Sequence, residues 1–600
     1  MKLTDYVTQF FEDQEITDMF MLTGGGCMHL VDSFGKSKKI KYWCVEHEQS
    51  AAMAAEAYSK MSNSLGLVLV TSGPGATNAI TGVLDCYQDS TPVVFISGQS
   101  KSKQTVYNTN IKGLRQFGVQ EANIIPIVES ITKYAVEVTD PQEIKYHLQK
   151  AVYLALNGRP GPVWISIPLD VQSADIDIES LSGYNCIDDS IKIIPKKEEV
   201  DYIIQRIKKA KRPVIIGGHG VRLSGACDEF SFFVEKTHIP VVTPIMGIDI
   251  INDDHPCNIG RVGTKGTRAG NFTVQNSDLV ISIGSRLSVS VVGHEYNLFA
   301  REAGVIVVDI DEIEHKKKTI TNIEKIINCD AKALLQILIQ LEIKCDFSKW
   351  LQICQQWKNK YPVILKTYDD DSNGINYYKF IDLINHHTSA DMPIISDAGS
   401  AFYVVSQSIC LKKGQRYITT GGTATMGFTL PAAIGVSVYG PTNSVIAITG
   451  DGSFMQNLQE LEVVKFHNMN IKLFVMNNGG YFSINQTQKR FFNGHYVGES
   501  AQSGISFTSI EKLAYAFGIN YEKIKTISEA ESKLKAIVED KNPTIVEVIV
   551  NNNMEIIPTT ASVMKDNGVM ISKPLEDMYP FLSRDEFNSN MIIKPICEDK

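Results

Sequence analysis

Two short segments place oxygen-bearing side chains among glycines: Gly450-Asp451-Gly452-Ser453 and, further along, Asn477-Asn478. One carboxylate, one amide oxygen and one carbonyl are hard ligands, the set Mg²⁺ accepts when phosphate oxygens complete its shell. Glycines on both sides of Asp451 let the backbone come close to a phosphate, and a helix after Ser453 would turn its free N–H groups toward it. A lone Gly-Asp-Gly is usually a plain turn. Here it sits on a frame: Ser444–Ile448 reads as a strand and Leu458–Phe466 keeps helical spacing. Ile471–Met476 then reads as a second strand ending at the two asparagines. Both oxygen-rich segments therefore leave neighbouring strand ends and face one crevice, where open α/β sheets bind ligands. The implied chemistry is a metal-bridged diphosphate anchor.

A second candidate lies far upstream in Val45-Glu-His-Glu-Gln-Ser-Ala-Ala-Met. Glu46 and Glu48 open a helical pattern, and locally they read equally well as acids favoured by the helix dipole. The elements that must carry these residues are α/β throughout. Short β-branched runs such as Leu67–Val70, Val93–Ile96, Val214–Ile216, Leu279–Ser282, Val305–Val308 and Lys472–Val475 alternate with helical patterns. That alternation predicts parallel sheets covered on both faces. Polar stretches around 173–197 and 355–375 read as linkers. The expected architecture is three consecutive open parallel-sheet domains, 1–175, 195–345 and 370–550, plus an irregular C-terminal tail, 551–600. Six hundred residues are too many for one core, which fits three domains.

Composition excludes several classes. A net charge of −9 leaves no basic footprint for nucleic acid. No apolar run reaches the roughly 18 residues of a membrane span, and the first residues lack a signal-peptide pattern. Eleven cysteines, an odd number without a CxxC pair, suit a reducing cytoplasm. A soluble cytoplasmic protein is expected.

Taken together, the Gly-Asp-Gly to Asn-Asn element resembles the cofactor motif of thiamine-diphosphate (ThDP) dependent decarboxylases and carboligases. The likeness to acetolactate synthases continues through His47-Glu48-Gln49, Thr71-Ser-Gly-Pro-Gly-Ala-Thr-Asn78, Ser97-Gly-Gln99, Gly158-Arg-Pro-Gly-Pro162 and Met426-Gly-Phe-Thr-Leu-Pro. The resemblance implies Asp451, Asn478 and the main-chain oxygen of Gly480 as Mg²⁺ ligands. Gly450, Gly452 and Ser453 would lie at the diphosphate, and Gly73, Gly75, Asn78, Gln99 and Gly422 around the rest of the cofactor. Met426 would bend ThDP, and Glu48 would protonate its aminopyrimidine. Gln120 would approach the reacting carbons from the partner subunit of a homodimer, itself able to pair into a tetramer. In the middle domain Gly217, Gly218, Gly266, Arg286 and Asp309, with Arg159 from the first, are similar to a flavin site, so FAD is expected. Each glycine turn taken alone is only a tight connection.

Three departures stand out. Ile167-Pro-Leu169-Asp has Leu where the synthases carry Lys. Thr487 stands where they carry Trp. The tail Ser572-Lys-Pro-Leu-Glu-Asp-Met-Tyr-Pro580 is unlike theirs, and it reads as a packing extension more readily than a lid over the site. The expected activity is decarboxylation of pyruvate or a related 2-keto acid with transfer of the acyl unit to a carbonyl acceptor, a keto sugar or a second 2-keto acid. A plain decarboxylase, a flavin-linked oxidase and a catalytically dead regulatory or assembly protein on the same fold are the alternatives. His219, Lys489, Arg490 and His495 read as turn or solvated-loop residues.

Overall fold

The computed structural model describes residues 1–185, 193–440, 444–564 and 570–596. Part of the first expected linker, Asp188-Asp-Ser190, lies outside them. The chain builds three six-stranded sheets, and every strand pairing within them is parallel. The first holds β1 (Asp18–Met21), β2 (Lys41–Cys44), β3 (Gly66–Val70), β4 (Val93–Gln99), β5 (Tyr134–Glu137) and β6 (Val163–Pro168). The second holds β7 (Pro213–Gly217), β8 (Val241–Thr243), β9 (Asn258–Arg261), β10 (Leu279–Ile283), β11 (Gly304–Asp309) and β12 (Ile323–Asn328). The third holds β13 (Ile394–Ser396), β14 (Tyr417–Ile418), β15 (Val445–Gly450), β16 (Ile471–Asn477), β17 (Asn520–Ile524) and β18 (Thr544–Ile549). All the apolar runs expected to be strands are strands. They are buried along nearly their whole length because helices cover both faces.

Strand order separates the sheets into two kinds. The first runs β2-β1-β3-β4-β6-β5 and the third β14-β13-β15-β16-β18-β17, the same order twice. The middle sheet runs β9-β8-β7-β10-β11-β12, the order of dinucleotide-binding folds. In each sheet the winding reverses beside the first strand: between β1 and β3, between β7 and β10, and between β13 and β15. Loops leaving those paired strand ends on opposite sides open a crevice there.

The first and third domains share a hydrophobic core that includes Ala51, Ala54, Phe95, Phe428, Ala432 and Leu473. Its seam is the helix Glu48–Ser62 lying against the helix Thr429–Tyr439. Their backbones nearly touch: a Cβ on Gly435 would sit 2.0 Å from the Ala54 carbonyl oxygen. The helix carrying Glu48 is thus fixed by the domain that carries Asp451.

The tail is less irregular than its sequence suggests. It forms a two-stranded hairpin, Ser562–Met564 with Met570–Ser572, and a helix, Arg584–Asn590. Leu575 and Phe587 enter the middle domain's core. Glu576 accepts from Gln275 at 2.6 Å and pairs with Arg301, while Trp357 donates to Asn590 at 2.9 Å. The tail straps the third domain to the second. Among the described residues no helix is long and apolar enough to cross a membrane.

Candidate active site

At the winding reversal of the third sheet, β15 ends at Gly450 and Asp451 opens a single helical turn, Asp451–Phe454. The long helix expected after Ser453 is interrupted: Asn457, at φ −133°, separates that turn from Leu461–Phe466. Asp451 is buried, yet its carboxylate accepts four backbone N–H groups. One is Gly452 at 2.8 Å; the others are Asn478, Gly479 and Gly480 at 3.2, 2.8 and 3.2 Å. Burial pushes the carboxyl up to about 6 against the pull of those donors. The loop that must bring Asn478 and Gly480 to the carboxylate is therefore fixed by the carboxylate itself. The two asparagines differ. Asn477 donates its amide to Glu547 at 2.6 Å, whereas among the described residues the Asn478 side-chain oxygen accepts only the Gly480 N–H at 3.2 Å and keeps a lone pair free. One carboxylate and one amide are too few donors for Mg²⁺ without phosphate oxygens, so the set fits a metal–diphosphate. A Cβ on Gly450 would meet nothing within 4 Å, which leaves backbone open on that side of the turn.

The Ser453 hydroxyl is already engaged. It donates to Asp397 and accepts the Gly427 N–H at 2.7 Å, so its backbone N–H is what remains for a diphosphate. Asp397, which sequence reasoning missed, directly follows β13 on the other side of the reversal. It also accepts Thr449 at 3.1 Å, and burial lifts it to about 6. The signal was present as strand–turn–helix in Ile394–Gly399. Only the strand order shows that this turn borders the Asp451 crevice.

In the first domain Glu48 begins its helix behind His47, whose ring nitrogen caps the Gln49 N–H at 3.1 Å. Glu48 is buried and accepts the Asn78 amide at 3.0 Å. Gly75 faces its other oxygen, with a Cβ there only 3.3 Å away. Glu48, Gly75 and Asn78 are thus brought together. Gln99 is not free: its amide donates to the Ala122 carbonyl at 2.6 Å and its oxygen accepts the Ser100 N–H at 3.0 Å. It fixes the loop bearing Gln120. Gln120 itself is exposed beside Val119, and its carbonyl lies against Gly73, where a Cβ would be 2.4 Å away. Among the described residues no hydrogen bond or ion pair joins Glu48 or Gln120 to Asp451 within one chain.

Gly422 is held from the first domain. Asp89 accepts the Gly422 N–H at 2.6 Å, the Gly421 N–H at 3.0 Å and the buried Lys60 ammonium at 2.7 Å. Asp85 takes Thr425 at 2.6 Å. These bonds fix the loop leading into Met426, whose sulfur lies 3.7 Å from the Gln456 amide.

The middle reversal opens into a cavity of about 890 Å³ lined by Gln88, His219, Gly284, Arg286, Asp309 and Gly422, among others. Arg286 reaches Gln88 only at 3.4 Å, so it remains available. Arg159 borders the cavity but is neutralised by Glu314 at 2.6 Å and Asp311 at 3.2 Å. Gly217, Gly218 and Gly266, expected to cradle phosphate, do not line it. They are packing glycines: a Cβ would lie 2.6 Å from Ile250, 2.2 Å from the Gly284 oxygen and 2.7 Å from the Arg261 oxygen, respectively. The wall there is His219, which is more than a turn residue. Both its ring nitrogens are shut off from water without a hydrogen-bond partner among the described residues, and burial pushes it down to about 4, so it is neutral.

The chain matches three family descriptions in order: thiamine pyrophosphate enzyme N-terminal TPP binding domain over 1–124, central domain over 200–338 and C-terminal TPP binding domain over 397–548. It is 33% identical to the acetolactate synthase large subunit of Lactococcus lactis, over 92% of this chain and 93% of that protein. The acetolactate synthase isozyme 2 large subunit of Escherichia coli matches at 31%, over 96% and 100%. The chloroplastic acetolactate synthase of Arabidopsis thaliana matches at 30%, over 94% and 83%. The chain belongs to the acetolactate synthase-like thiamine pyrophosphate enzymes. In this thiamine pyrophosphate enzyme the two TPP-binding domains are the pair of sheets with identical strand order, and the central domain is the odd one.

Leu169 and Thr487, the two substituted positions noted in the sequence, are both accessible. Leu169 starts a short helix and is half-exposed. Thr487 is exposed on the helix Phe482–Phe491, its hydroxyl donating to the Ser483 carbonyl at 2.9 Å.

Proposed function

We propose that this enzyme removes CO₂ from pyruvate or a related 2-keto acid and transfers the acyl unit to a carbonyl acceptor. The observation that carries this reading is Asp451, a buried carboxylate pinned by four N–H groups at the third sheet's winding reversal. Asp451, Asn478 and the Gly480 carbonyl hold Mg²⁺, and the backbone at Gly450–Ser453 holds the diphosphate. When bound, ThDP supplies the nucleophilic carbon and the electron sink that decarboxylation needs. Glu48 holds or gives up a proton at the aminopyrimidine, and Asn78 fixes its orientation through the 3.0 Å bond. Gln120 on its exposed loop serves the site of a second copy. The active unit is a homodimer with shared sites, able to pair further into a tetramer. Losing a Lys at Leu169 and a Trp at Thr487 widens the mouth for an acceptor larger than a second 2-keto acid, such as a keto sugar.

Support for FAD in the middle cavity is threefold: the dinucleotide-type strand order, a volume suited to a large ligand, and the partnerless His219 ring in its wall. Replacing Glu48 by Gln is expected to lower turnover by ~10²–10⁴-fold, the range for an acid–base group, with ThDP affinity nearly unchanged. Retained turnover would remove the mechanism. Purified enzyme is expected to absorb near ~450 nm from flavin; a colourless, flavin-free preparation refutes FAD. Mass spectrometry of products from pyruvate with a panel of acceptors tests the ligation directly.

A further inference from the structure

The helix break at Asn457 turns a buried acid of the third domain onto the first. Leu458–Glu460 forms a separate turn between Asp451–Phe454 and the helix Leu461–Phe466. Its mount is rigid. Asn457, itself buried, donates its amide to the Gly427 carbonyl at 2.8 Å and lies 3.7 Å from the Met53 sulfur of the helix Glu48–Ser62. Glu460 ends the turn with no exposed surface. Its carboxyl accepts the Glu46 N–H at 3.2 Å across the domain boundary, and the Gln459 amide meets its other oxygen at 3.4 Å. Burial pushes Glu460 up to about 7, against the pull of the Glu46 N–H. A buried carboxyl is costly, and what this one meets is the backbone just ahead of Glu48.

Glu46 lies two residues before Glu48, in the connection that leaves β2. Its own side chain is exposed, so Glu460 grips main chain there and not a charge. On one side of it, Val45 is tied back to the end of β1 by its N–H to the Met21 carbonyl at 3.1 Å. On the other, the His47 ring caps the Gln49 N–H at 3.1 Å. Asn78 restrains the Glu48 carboxylate itself at 3.0 Å. Glu460 restrains the backbone that carries it. A group that handles a proton is sensitive to such placement, since a shift of about 1 Å can cost ~10²-fold.

We infer that Glu460 is a positioning residue for Glu48, holding from the third domain the backbone that leads into the Glu48 helix. This rests on the reading of Glu48 as the group that handles the aminopyrimidine proton. The first readout is amide hydrogen exchange of the peptide spanning residues 45–49 in ThDP-free protein. Glu460→Leu is expected to speed it by about tenfold. The second is exchange of the C2 proton of bound ThDP for deuterium, without substrate, in enzyme saturated with ThDP and Mg²⁺, followed by acid quench and NMR. Glu460→Leu is expected to slow it by ~10–10²-fold, with the melting temperature nearly unchanged. In Glu460→Gln the amide oxygen still accepts the Glu46 N–H, and the rate returns to within about threefold of wild type. Glu460→Ala carries the same expectation as Leu and replaces it if Leu unfolds the chain. In the Glu48→Gln background Glu460→Leu is expected to add little, because nothing is left to position. Wild-type C2 exchange in Glu460→Leu, slowing of equal size in Glu460→Gln, or a full further loss in the double variant each overturns the inference while Glu48 keeps its role. Wild-type C2 exchange in Glu48→Gln alone is a separate failure: it removes the Glu48 reading, and the positioning role goes with it.

Discussion

The crevice of the third domain and the cavity of the second stand at equivalent winding reversals, yet they are finished in opposite ways. In the crevice the carboxylates are satisfied before any ligand arrives. Asp451 holds four N–H donors, and Asp397 takes Ser453 and Thr449. In the cavity several polar groups wait: among the described residues His219 has no hydrogen-bond partner on either nitrogen, Lys265 has none, and Arg286 reaches only Gln88, at 3.4 Å. A small, highly charged metal–diphosphate demands donors fixed in advance, because reorganising them at low dielectric is expensive. A large ligand spreads its contacts over many side chains, so each can be left for the ligand to complete.

The largest effect should come from breaking the finished side. Asp451→Ala removes the proposed metal ligand and leaves four N–H groups without their acceptor. A loss of about 4 kcal/mol, or ~10³-fold in turnover, is expected from the scale of a single preorganised electrostatic contact. Calorimetry should show Mg²⁺-dependent ThDP binding collapsing with it. Binding within tenfold of wild type would show that Asp451 is structural only.

The unfinished side is probed by acid. His219 titrates near 6.5 when unfolded and is pushed down to about 4 when folded. Between those values the unfolded chain binds more protons, so stability rises with pH through the window and is lost as pH falls toward 4. The displacement is worth about 3 kcal/mol. In flavin-free protein His219→Phe should lose correspondingly less stability between pH 7 and pH 4.5. Parallel melting curves for the two proteins across that range would show that the ring is not the titrating group. Bound flavin should also damp the wild-type dependence if it engages the ring.

The contrast also marks what the sequence could carry. Strand-forming runs, three α/β units and the pairing of Asp451 with Asn478 were legible because they depend on local periodicity and on turns at strand ends. Asp397 was not legible, since only the order β14-β13-β15 makes Ser396-Asp397-Ala398-Gly399 a neighbour of Gly450. The packing of the middle glycines was hidden for a related reason. A Gly-rich turn looks alike whether it admits a phosphate or another strand's backbone, and Gly218 admits Gly284. The identities of His219 and Lys265 were plain, but loss of partners on burial is a property of packing between elements remote in sequence. The tail's hairpin and its grip on Gln275 and Arg301 have no local periodicity to announce them.

Glycine substitution gives the smallest and most discriminating test of the comparison. At Gly218 a Cβ would lie 2.2 Å from the Gly284 carbonyl oxygen, which belongs to backbone and cannot step aside. Gly218→Ala should therefore lower stability by about 1–3 kcal/mol, the range for overpacking, and impair flavin binding only in proportion to lost fold. At Gly450 a Cβ meets nothing within 4 Å and φ is −80°, a value any residue adopts. Gly450→Ala should leave the melting temperature of the ThDP-free protein nearly unchanged, within about 0.5 kcal/mol. Its ThDP affinity should nevertheless fall, because the added methyl occupies space the diphosphate needs. If Gly450→Ala destabilises the ThDP-free fold while Gly218→Ala does not, the assignment of packing glycines to the cavity and ligand glycines to the crevice is reversed.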